Sequence, residues 1–329
     1  MNSVYISPLK ILRKIYAIFF GKVDSQTRES ENDPDKAAQL IYNALTGDLP
    51  IMIARFGSNE LNVMINYLSI KSNKKSLKNY ITGKQFDWWW NKGIIKNFNE
   101  VAGFFPIDTD SLKRFSELMI KDITNVDILG SWLTNERKFE NEMKVDKVHI
   151  RLLEPFWSKV PWTKALDGKK VLVIHPFTQT IKRQYENRKN IFKNANILPD
   201  FHELILIKSI QSSGNGDSNK FKNWFEALEY MKAEIDKVDY DICLIGAGAY
   251  GFPLAAHVKR TGKKAVHLGG ALQLLFGIKG KRWEDPNYGV KAWGIAKGSY
   301  TNLMNEHWVR PDNNERPKNP EIVEGACYW

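Results

Sequence analysis

Apolar positions along the chain fall into two patterns, short continuous runs and repeats at helical spacing. The first strong run, LPIMIA, begins at Leu49, ends in Arg-Phe-Gly and is followed by a segment whose apolar residues recur every three to four positions. Continuous apolar runs predict buried strands, and the helical repeat predicts an amphipathic helix. This stretch therefore predicts a strand, a tight turn and a helix.

A more regular alternation begins at Asp167. Four apolar runs, in KKVLVIHPF, HELILIKSI, DYDICLIGAG and KKAVHLGG, are separated by helical patterns. Before them, a short strand is expected at Val126 and a charged helix after it. Strands that are apolar throughout and alternate with helices are typical of a parallel sheet covered on both faces. We therefore predict an α/β, Rossmann-like fold with a mainly parallel, doubly wound sheet and flanking helices.

Composition divides the chain into three parts. Residues 1–48 combine a basic amphipathic helix with a polar linker that starts at Asp24. Residues 49–309 form the α/β domain, whose C-terminal Rossmann-like half starts near residue 167, and residues 310–329 form an irregular tail.

The N-terminal helix has two interpretations. Its apolar core is too short to span a bilayer, and no cleavage site for a secretory signal follows it. A basic amphipathic helix is typical of a membrane interface, but it can equally dock on its own domain. The residues behind this pattern are apolar Leu9, Ile11, Leu12, Ile15, Ile18 and Phe19 and basic Lys10, Arg13, Lys14 and Lys22.

Charge and composition limit the classes of partner and function that the chain can have. The 48 Lys and Arg against 37 Asp and Glu give a net charge of +11, which suits nucleic acid, an anionic membrane or a phosphorylated small molecule. The basic residues are spread along the chain, so we expect no nucleic-acid partner. Eleven Trp and seventeen Phe exclude a wholly disordered chain. Two cysteines indicate neither a disulfide framework nor a cysteine metal site, which favours the reducing cytoplasm.

The turn GAGAYG carries a Gly-x-Gly-x-x-Gly pattern between a predicted strand and a predicted helix. Gly246 suits the sharp turn, Gly248 lets a phosphate approach the backbone, and Gly251 allows close helix packing. A dinucleotide site also needs an acidic residue about 20 positions further on for the ribose. His267 stands there instead. We therefore expect phosphate or nucleotide binding without NAD, with a purely structural tight turn as the alternative.

Ligands in parallel sheets bind beyond the carboxyl ends of the strands. Glu60 is the candidate proton acceptor, and His175 and His267 are further acid/base candidates. Glu60 and Arg55 could instead pair with each other. The predicted substrate-binding residues in the turns are Arg55, Gly57, Ser58, Gln211, Gly246, Gly248, Tyr250, Gly251, Gly269 and Gly270.

A basic loop follows the last predicted strand. Lys279, Lys281 and Arg282 are close in sequence to the glycines at 269 and 270, and they can neutralise a pyrophosphate by charge-assisted hydrogen bonds. The alternative is an exposed basic loop with no ligand.

The turn ARFGSNEL, together with HLGGALQLLFGIKGKRW and the terminal EGACYW, resembles bacterial glycosyltransferases of the GT-D fold and related capsular polysaccharide proteins. The likeness covers most of residues 49–329. The family's turn reads Arg-Phe-Gly-Asp-Gly-Glu, and its Asp-x-Glu pair is associated with metal and sugar nucleotide. Glu60 matches, but Ser58 replaces the aspartate. The resemblance therefore implies Mn²⁺ or Mg²⁺ at Glu60 as the single acidic ligand of this turn.

The resemblance implies a glycosyltransferase that moves a sugar from a nucleotide-sugar donor to a glycan or lipid-linked acceptor in surface polysaccharide synthesis. We expect it in the cytoplasm, with a peripheral position on an anionic inner membrane face as a further expectation. Two alternatives remain open: a nicotinamide-dependent oxidoreductase that uses the GAGAYG turn, and a non-enzymatic nucleic-acid-binding protein.

Overall fold

A computed structural model describes residues 3–21, 30–213, 220–317 and 319–329. Its strands are β1 (Ile51–Ala54), β2 (Ile128–Ser131), β3 (Asp146–His149), β4 (Lys170–His175), β5 (Glu203–Lys208), β6 (Ile242–Ile245) and β7 (Lys264–His267). Among the described residues these strands form one sheet of seven in the order β3-β2-β1-β7-β6-β4-β5. Every pair is parallel. The predicted α/β class with a parallel sheet is confirmed.

Helices cover both faces of this sheet. They are α1 (Ser3–Phe20), α2 (Pro34–Thr46), α3 (Ser58–Lys71), α4 (Leu77–Ile81), α5 (Lys92–Glu100), α6 (Thr109–Ile123), α7 (Thr178–Glu186), α8 (Trp224–Asp236), α9 (Gly251–Arg260), α10 (Leu272–Leu275), α11 (Lys281–Glu284) and α12 (Val290–Trp293). One apolar cluster joins the sheet to α3, α5, α6, α8 and α9. The other joins it to α2, α7 and α10.

The strands are apolar throughout because each is buried on both faces. In β1, Met52 and Ala54 belong to the cluster on one face, whereas Ile53 belongs to the cluster on the other. All three side chains are fully buried. Two-sided burial is what continuous apolar runs predict for a parallel sheet.

The strand order reverses direction between β6 and β4. The chain runs from β4 outward to β5, and from β6 it runs the opposite way to β7. The turns that follow β4 and β6 therefore diverge and leave a crevice at the carboxyl ends of these strands, which is where open α/β sheets bind ligands. The GAGAYG turn follows β6 at this crevice.

Two segments differ from the sequence prediction. The charged helix expected after β2 is a short 3₁₀ turn over Thr134–Phe139, followed by β3. Only Val148 of β3 is buried, because β3 is an edge strand, so its sequence lacks the apolar run of a central strand.

Helix α2 lies in the segment that we assigned to the helix and linker preceding the domain. Asp33 caps it by accepting from the backbone N–H groups of Asp35 and Lys36, and Pro34 occupies its first position. Its buried residues recur at helical spacing and belong to the core on one sheet face: Ala37, Ala38, Ile41 and Leu45. The structure thus brings residues 34–46 into the α/β domain.

The described residues of the tail, 310–317 and 319–329, include short 3₁₀ turns at Asn313–Glu315 and Pro320–Ile322. Its last residues nevertheless return to the domain, where Val323 and Trp329 are buried. Across the described residues, no helix combines the length and apolarity needed to cross a membrane.

Candidate functional site

A cleft of ≈ 190 Å³ opens at the carboxyl ends of β1, β4, β6 and β7. It collects most of the residues that the sequence predicts as a site, although they come from six separate stretches of chain. Those that line it are Arg55, Gly57, Ser58, Glu60, His175, Gln211, Gly246, Gly248, Tyr250, His267, Gly270 and Arg282. The cleft thus joins the turn after β1 to the glycine turn after β6.

Several glycines around the cleft make room for side chains. A methyl group added at Gly246 would lie 2.6 Å from His175 Cδ2, which is closer than carbon atoms approach. A methyl group at Gly251 would overlap the ring of His267, and one at Gly269 would overlap the guanidinium of Arg55. Gly251 and Gly269 do not line the cleft themselves, and they act behind it by allowing these side chains to pack against the backbone.

Gly248 is different from these three. Its φ is +53°, a left-handed conformation that favours glycine, and no atom lies within 4 Å of the position that a Cβ would take. It is also exposed, whereas Gly246 is buried. Gly248 is therefore the glycine of this turn that leaves the backbone open to a ligand.

Arg55 places a positive charge at the floor of the cleft. Its Nη1 donates to the carbonyl oxygen of Phe56 over 3.2 Å, and the same oxygen accepts from Trp132 Nε1 over 2.9 Å. Its Nε is buried and has no hydrogen-bond partner among the described residues. A buried donor left unpaired costs about 1–3 kcal/mol.

Glu60 lies in the first turn of α3, three residues after the cap residue Gly57. Its carboxyl group folds back over Gly57, where any side chain would collide with it. Burial raises the pKa of Glu60 above its ordinary value, while its own backbone N–H and the charge of Arg55 act in the opposite direction. The carboxyl group is thus suited to exchange a proton nearer to neutral pH than an exposed glutamate.

A divalent cation does not fit the donors around Glu60. No group of three His, Cys, Asp or Glu side chains comes close enough to hold a metal ion in the parts of the chain that the structure describes. Mn²⁺ and Mg²⁺ prefer several oxygen ligands, and the Asp-x-Glu pair of the resembling family is reduced here to one carboxylate. The Mn²⁺ or Mg²⁺ site at Glu60 stays a prediction without a ligand set to support it.

His175 ends β4 and is 2% exposed. Its Nδ1 accepts a hydrogen bond from the backbone N–H of Phe177 over 3.1 Å, so the neutral ring carries its proton on Nε2. Burial lowers the pKa of His175 to about 3. His175 therefore presents a neutral hydrogen-bond donor, which is a different role from the acid/base group expected from the sequence.

His267 ends β7, at the place of the ribose-binding acid of a dinucleotide site. Its side chain is 3% exposed, and neither ring nitrogen has a hydrogen-bond partner within the described ranges. Burial lowers the pKa of His267 well below its ordinary value, the charge of Arg55 acts in the same direction, and the backbone of Arg55 acts against both. The ring is neutral and offers one donor and one acceptor beside the cleft.

Tyr250 forms a wall of the cleft. Its hydroxyl group and that of Ser212 are 3.0 Å apart, and its ring stacks on Trp224 with centroids 4.8 Å apart. Gln211 also lines this wall. Tyr250 is buried, so its contribution to the cleft is a fixed surface.

The predicted basic loop contributes only Arg282 to the cleft. Lys279 pairs with Glu284 at 4.0 Å, and Lys281 Nζ donates to the carbonyl oxygen of Gly325 over 3.4 Å. Both lysines lie outside the cleft lining, so they do not join the pyrophosphate site that their spacing predicts. The three cations are close in sequence, but two of them contact Glu284 and the carbonyl oxygen of Gly325, and only Arg282 lines the cleft.

The C-terminal tail forms a side of the cleft that the sequence does not predict. Glu324 pairs with Arg282, whose Nη2 also lies 3.0 Å from Cys327 Sγ, and the guanidinium lies 4.9 Å from the ring centre of Tyr328. Trp329 lines the cleft as well. The only signal in the sequence is the return of apolar and aromatic residues in EGACYW after a polar stretch.

Comparison of the chain with protein-family models, with curated proteins and with solved structures found no match in any of the three. The resemblance to glycosyltransferases of the GT-D fold stays a prediction that depends on the motifs quoted above.

Proposed function

We propose that this protein is a glycosyltransferase, similar to those of the GT-D fold, that binds a nucleotide-sugar donor in the cleft. The diphosphate of the donor would lie between Arg55 and the open backbone at Gly248. Both groups line one cleft, at the sheet edge where α/β proteins bind phosphorylated ligands.

The observation that carries the proposal is the guanidinium of Arg55 in the cleft lining, whose Nε has no hydrogen-bond partner among the described residues. A guanidinium donates to phosphate oxygens through charge-assisted hydrogen bonds, which are stronger than neutral ones. The neutral ring of His267 and the Nε2–H of His175 add donors that need no proton uptake. A diphosphate offers oxygen acceptors to such donors, whereas an apolar ligand offers none.

Glu60 is the proposed base of the transfer step. Its carboxylate takes the proton from an acceptor hydroxyl group, the hydroxyl oxygen forms a bond to the anomeric carbon of the sugar, and the bond from that carbon to the phosphate oxygen breaks. The electron pair of the broken bond stays on the diphosphate, where Arg55 stabilises the added charge. The step requires no group beyond the donor, the acceptor and these side chains.

The proposed acceptor is a glycan, in free or lipid-linked form, of surface polysaccharide synthesis, and the proposed location is the cytoplasmic side of the membrane. This part follows from the motif resemblance and from the N-terminal helix.

Donor turnover tests the proposal. We expect the protein to release a nucleoside diphosphate from one member of a nucleotide-sugar panel, slowly with water and faster when a glycan acceptor is added. The Glu60→Gln variant should lose at least about a hundredfold in rate, the lower range for general base catalysis. Absence of turnover across the panel, or equal turnover by the variant, would refute it. NAD is included because the oxidoreductase alternative predicts binding of NAD instead.

A further inference from the structure

Helix α1 docks on the domain through one face only. Ile6 and Leu9 pack against the aromatic cluster of Tyr80, Trp88 and Trp89. Arg13 donates from Nη1 to the carbonyl oxygen of Gln85 over 3.1 Å, and its guanidinium lies 4.9 Å from the ring centre of Tyr80. This face fixes which way the rest of the helix points.

The opposite side of α1 exposes five large apolar residues, here called the α1 apolar face. At the helical rotation of 100° per residue they occupy an arc of roughly 120°. They are Ile11 (58% exposed), Leu12 (47%), Ile15 (45%), Ile18 (70%) and Phe19 (76%). A contiguous apolar surface of this kind on a soluble domain marks an interaction site.

Exposed lysines lie on α1 and on the segment that packs next to it. The α4 segment, residues 71–84, packs next to α1 and carries five exposed lysines, and α1 itself adds exposed Lys10 and Lys14. Neither segment contains an acidic residue. Leu77, on α4, is also 57% exposed. α1 and residues 71–84 therefore carry exposed lysines without any acidic residue, and α1 adds an exposed apolar face.

We propose that the α1 apolar face and the lysines of residues 71–84 form one docking surface for an anionic lipid bilayer. The apolar face would enter the boundary between headgroups and acyl chains, with α1 parallel to the membrane plane, and the lysines would contact acidic headgroups.

The chemistry of the surface favours lipid over other occupants. A second copy of the chain would bring the same lysines together, and like charges repel. A nucleic acid would contact the lysines but leave the α1 apolar face in water. Trp88 and Trp89, which lie beside these lysines, are each 8% exposed and packed under α1, so they present little ring surface for stacking on bases. The proposal is independent of what the cleft binds, because the surface is formed by α1 and α4 alone.

Vesicle flotation of the full chain tests this surface. We expect binding to vesicles of phosphatidylcholine mixed with phosphatidylglycerol in equal parts, and at least about tenfold weaker binding to phosphatidylcholine alone, since each lysine near an anionic surface contributes about fivefold in affinity. The Lys74→Gln/Lys75→Gln/Lys78→Gln variant should bind the mixed vesicles about a hundredfold more weakly on the same scale.

A second variant tests the apolar contribution. Ile15→Ser/Phe19→Ser should weaken binding at least about tenfold, because two large side chains no longer enter the bilayer. The matched controls change equally exposed residues elsewhere, Leu49→Ser/Val160→Ser for the apolar pair and Lys193→Gln/Lys291→Gln/Lys297→Gln for the lysines, and should bind as the unaltered protein does. All altered residues are exposed, so the thermal unfolding of each variant should stay unchanged.

Three results would overturn the proposal. The first is binding to mixed vesicles that neither test variant weakens more than its control. The second is a dimer in sedimentation that Ile15→Ser/Phe19→Ser converts to monomer without any lipid binding. The third is failure to bind vesicles together with tight binding of an oligonucleotide that the lysine variant abolishes.

Discussion

Replacing Arg55 with methionine should separate ligand binding from folding stability. The change removes one donated hydrogen bond, from Nη1 to Phe56, but the Phe56 oxygen still accepts from Trp132 and is not left unpaired. It also removes the buried, unpaired Nε, whose cost is about 1–3 kcal/mol. The lost bond is worth about the same as the relieved cost. The free energy of unfolding without ligand should therefore change by no more than about 1 kcal/mol.

Ligand affinity, unlike stability, should change strongly in this variant. A hydrogen bond from a charged donor is worth about 1.5–3 kcal/mol, so the dissociation constant for a nucleoside diphosphate should rise about 10- to 150-fold in Arg55→Met. Denaturant unfolding measures the stability, and quenching of tryptophan fluorescence, to which Trp132 in the cleft contributes, measures the affinity.

Arg183→Met is the matched control. Arg183 makes a two-bond pair with Asp312 on the surface, at 2.9 and 2.8 Å, away from the cleft lining. Exposed pairs contribute about 0–1 kcal/mol, so this variant should change neither quantity much. A loss of several kcal/mol of stability in Arg55→Met with unchanged nucleotide affinity would show that Arg55 is structural and would refute the reasoning.

Three further predictions concern other groups. Gly248→Ala should lower the free energy of unfolding by about 1–2 kcal/mol through the positive φ of this residue alone. Gly246→Ala should lower it by about 1–3 kcal/mol and should also displace His175. Denaturant unfolding measures both losses, and the histidine NMR signal reports the displacement. Burial raises the pKa of Glu154 from 4.5 to about 7, so between these values the folded state holds a proton that the unfolded state releases. The free energy of unfolding should therefore fall by about 3 kcal/mol as the pH rises through that range. Glu154→Gln should remove this slope, and an unchanged slope in unfolding curves would contradict the assignment. Because the pKa of Glu60 is raised, its carboxylate is protonated and stops acting as a base at a pH above 4.5. In a plot of kcat against pH, the fall on the acidic side should therefore lie above 4.5, and it should disappear in Glu60→Gln.

The central strands are predictable from the sequence because burial on both faces requires apolar residues at every position. The runs that predict β4, β6 and β7 are of this kind, with nearly every residue buried. The edge strand β3 has a single buried residue, so its pattern resembles a loop. Helix α2 has buried positions at helical spacing, but it follows a polar segment, and the sequence pattern therefore places it in the linker.

The sequence predicts which turns meet at the candidate site, because the carboxyl ends of parallel strands lie at one edge of the sheet. What each residue does there depends on contacts between distant parts of the chain. Gly251 and Gly269 fit a phosphate-binding pattern, yet in the structure they accommodate His267 and Arg55. The position of Tyr328 beside Arg282 likewise arises from a tail that no local pattern directs to the cleft.

Calorimetric titration of the protein with nucleoside diphosphates and nucleotide sugars, with and without Mg²⁺ or Mn²⁺, tests the central claim most directly. The account predicts saturable binding of one ligand per chain for at least one nucleotide, without added metal, and loss of that binding in Arg55→Met. Absence of binding by the whole panel, or binding that Arg55→Met leaves unchanged, would contradict the claim that this cleft holds the phosphates of a sugar donor.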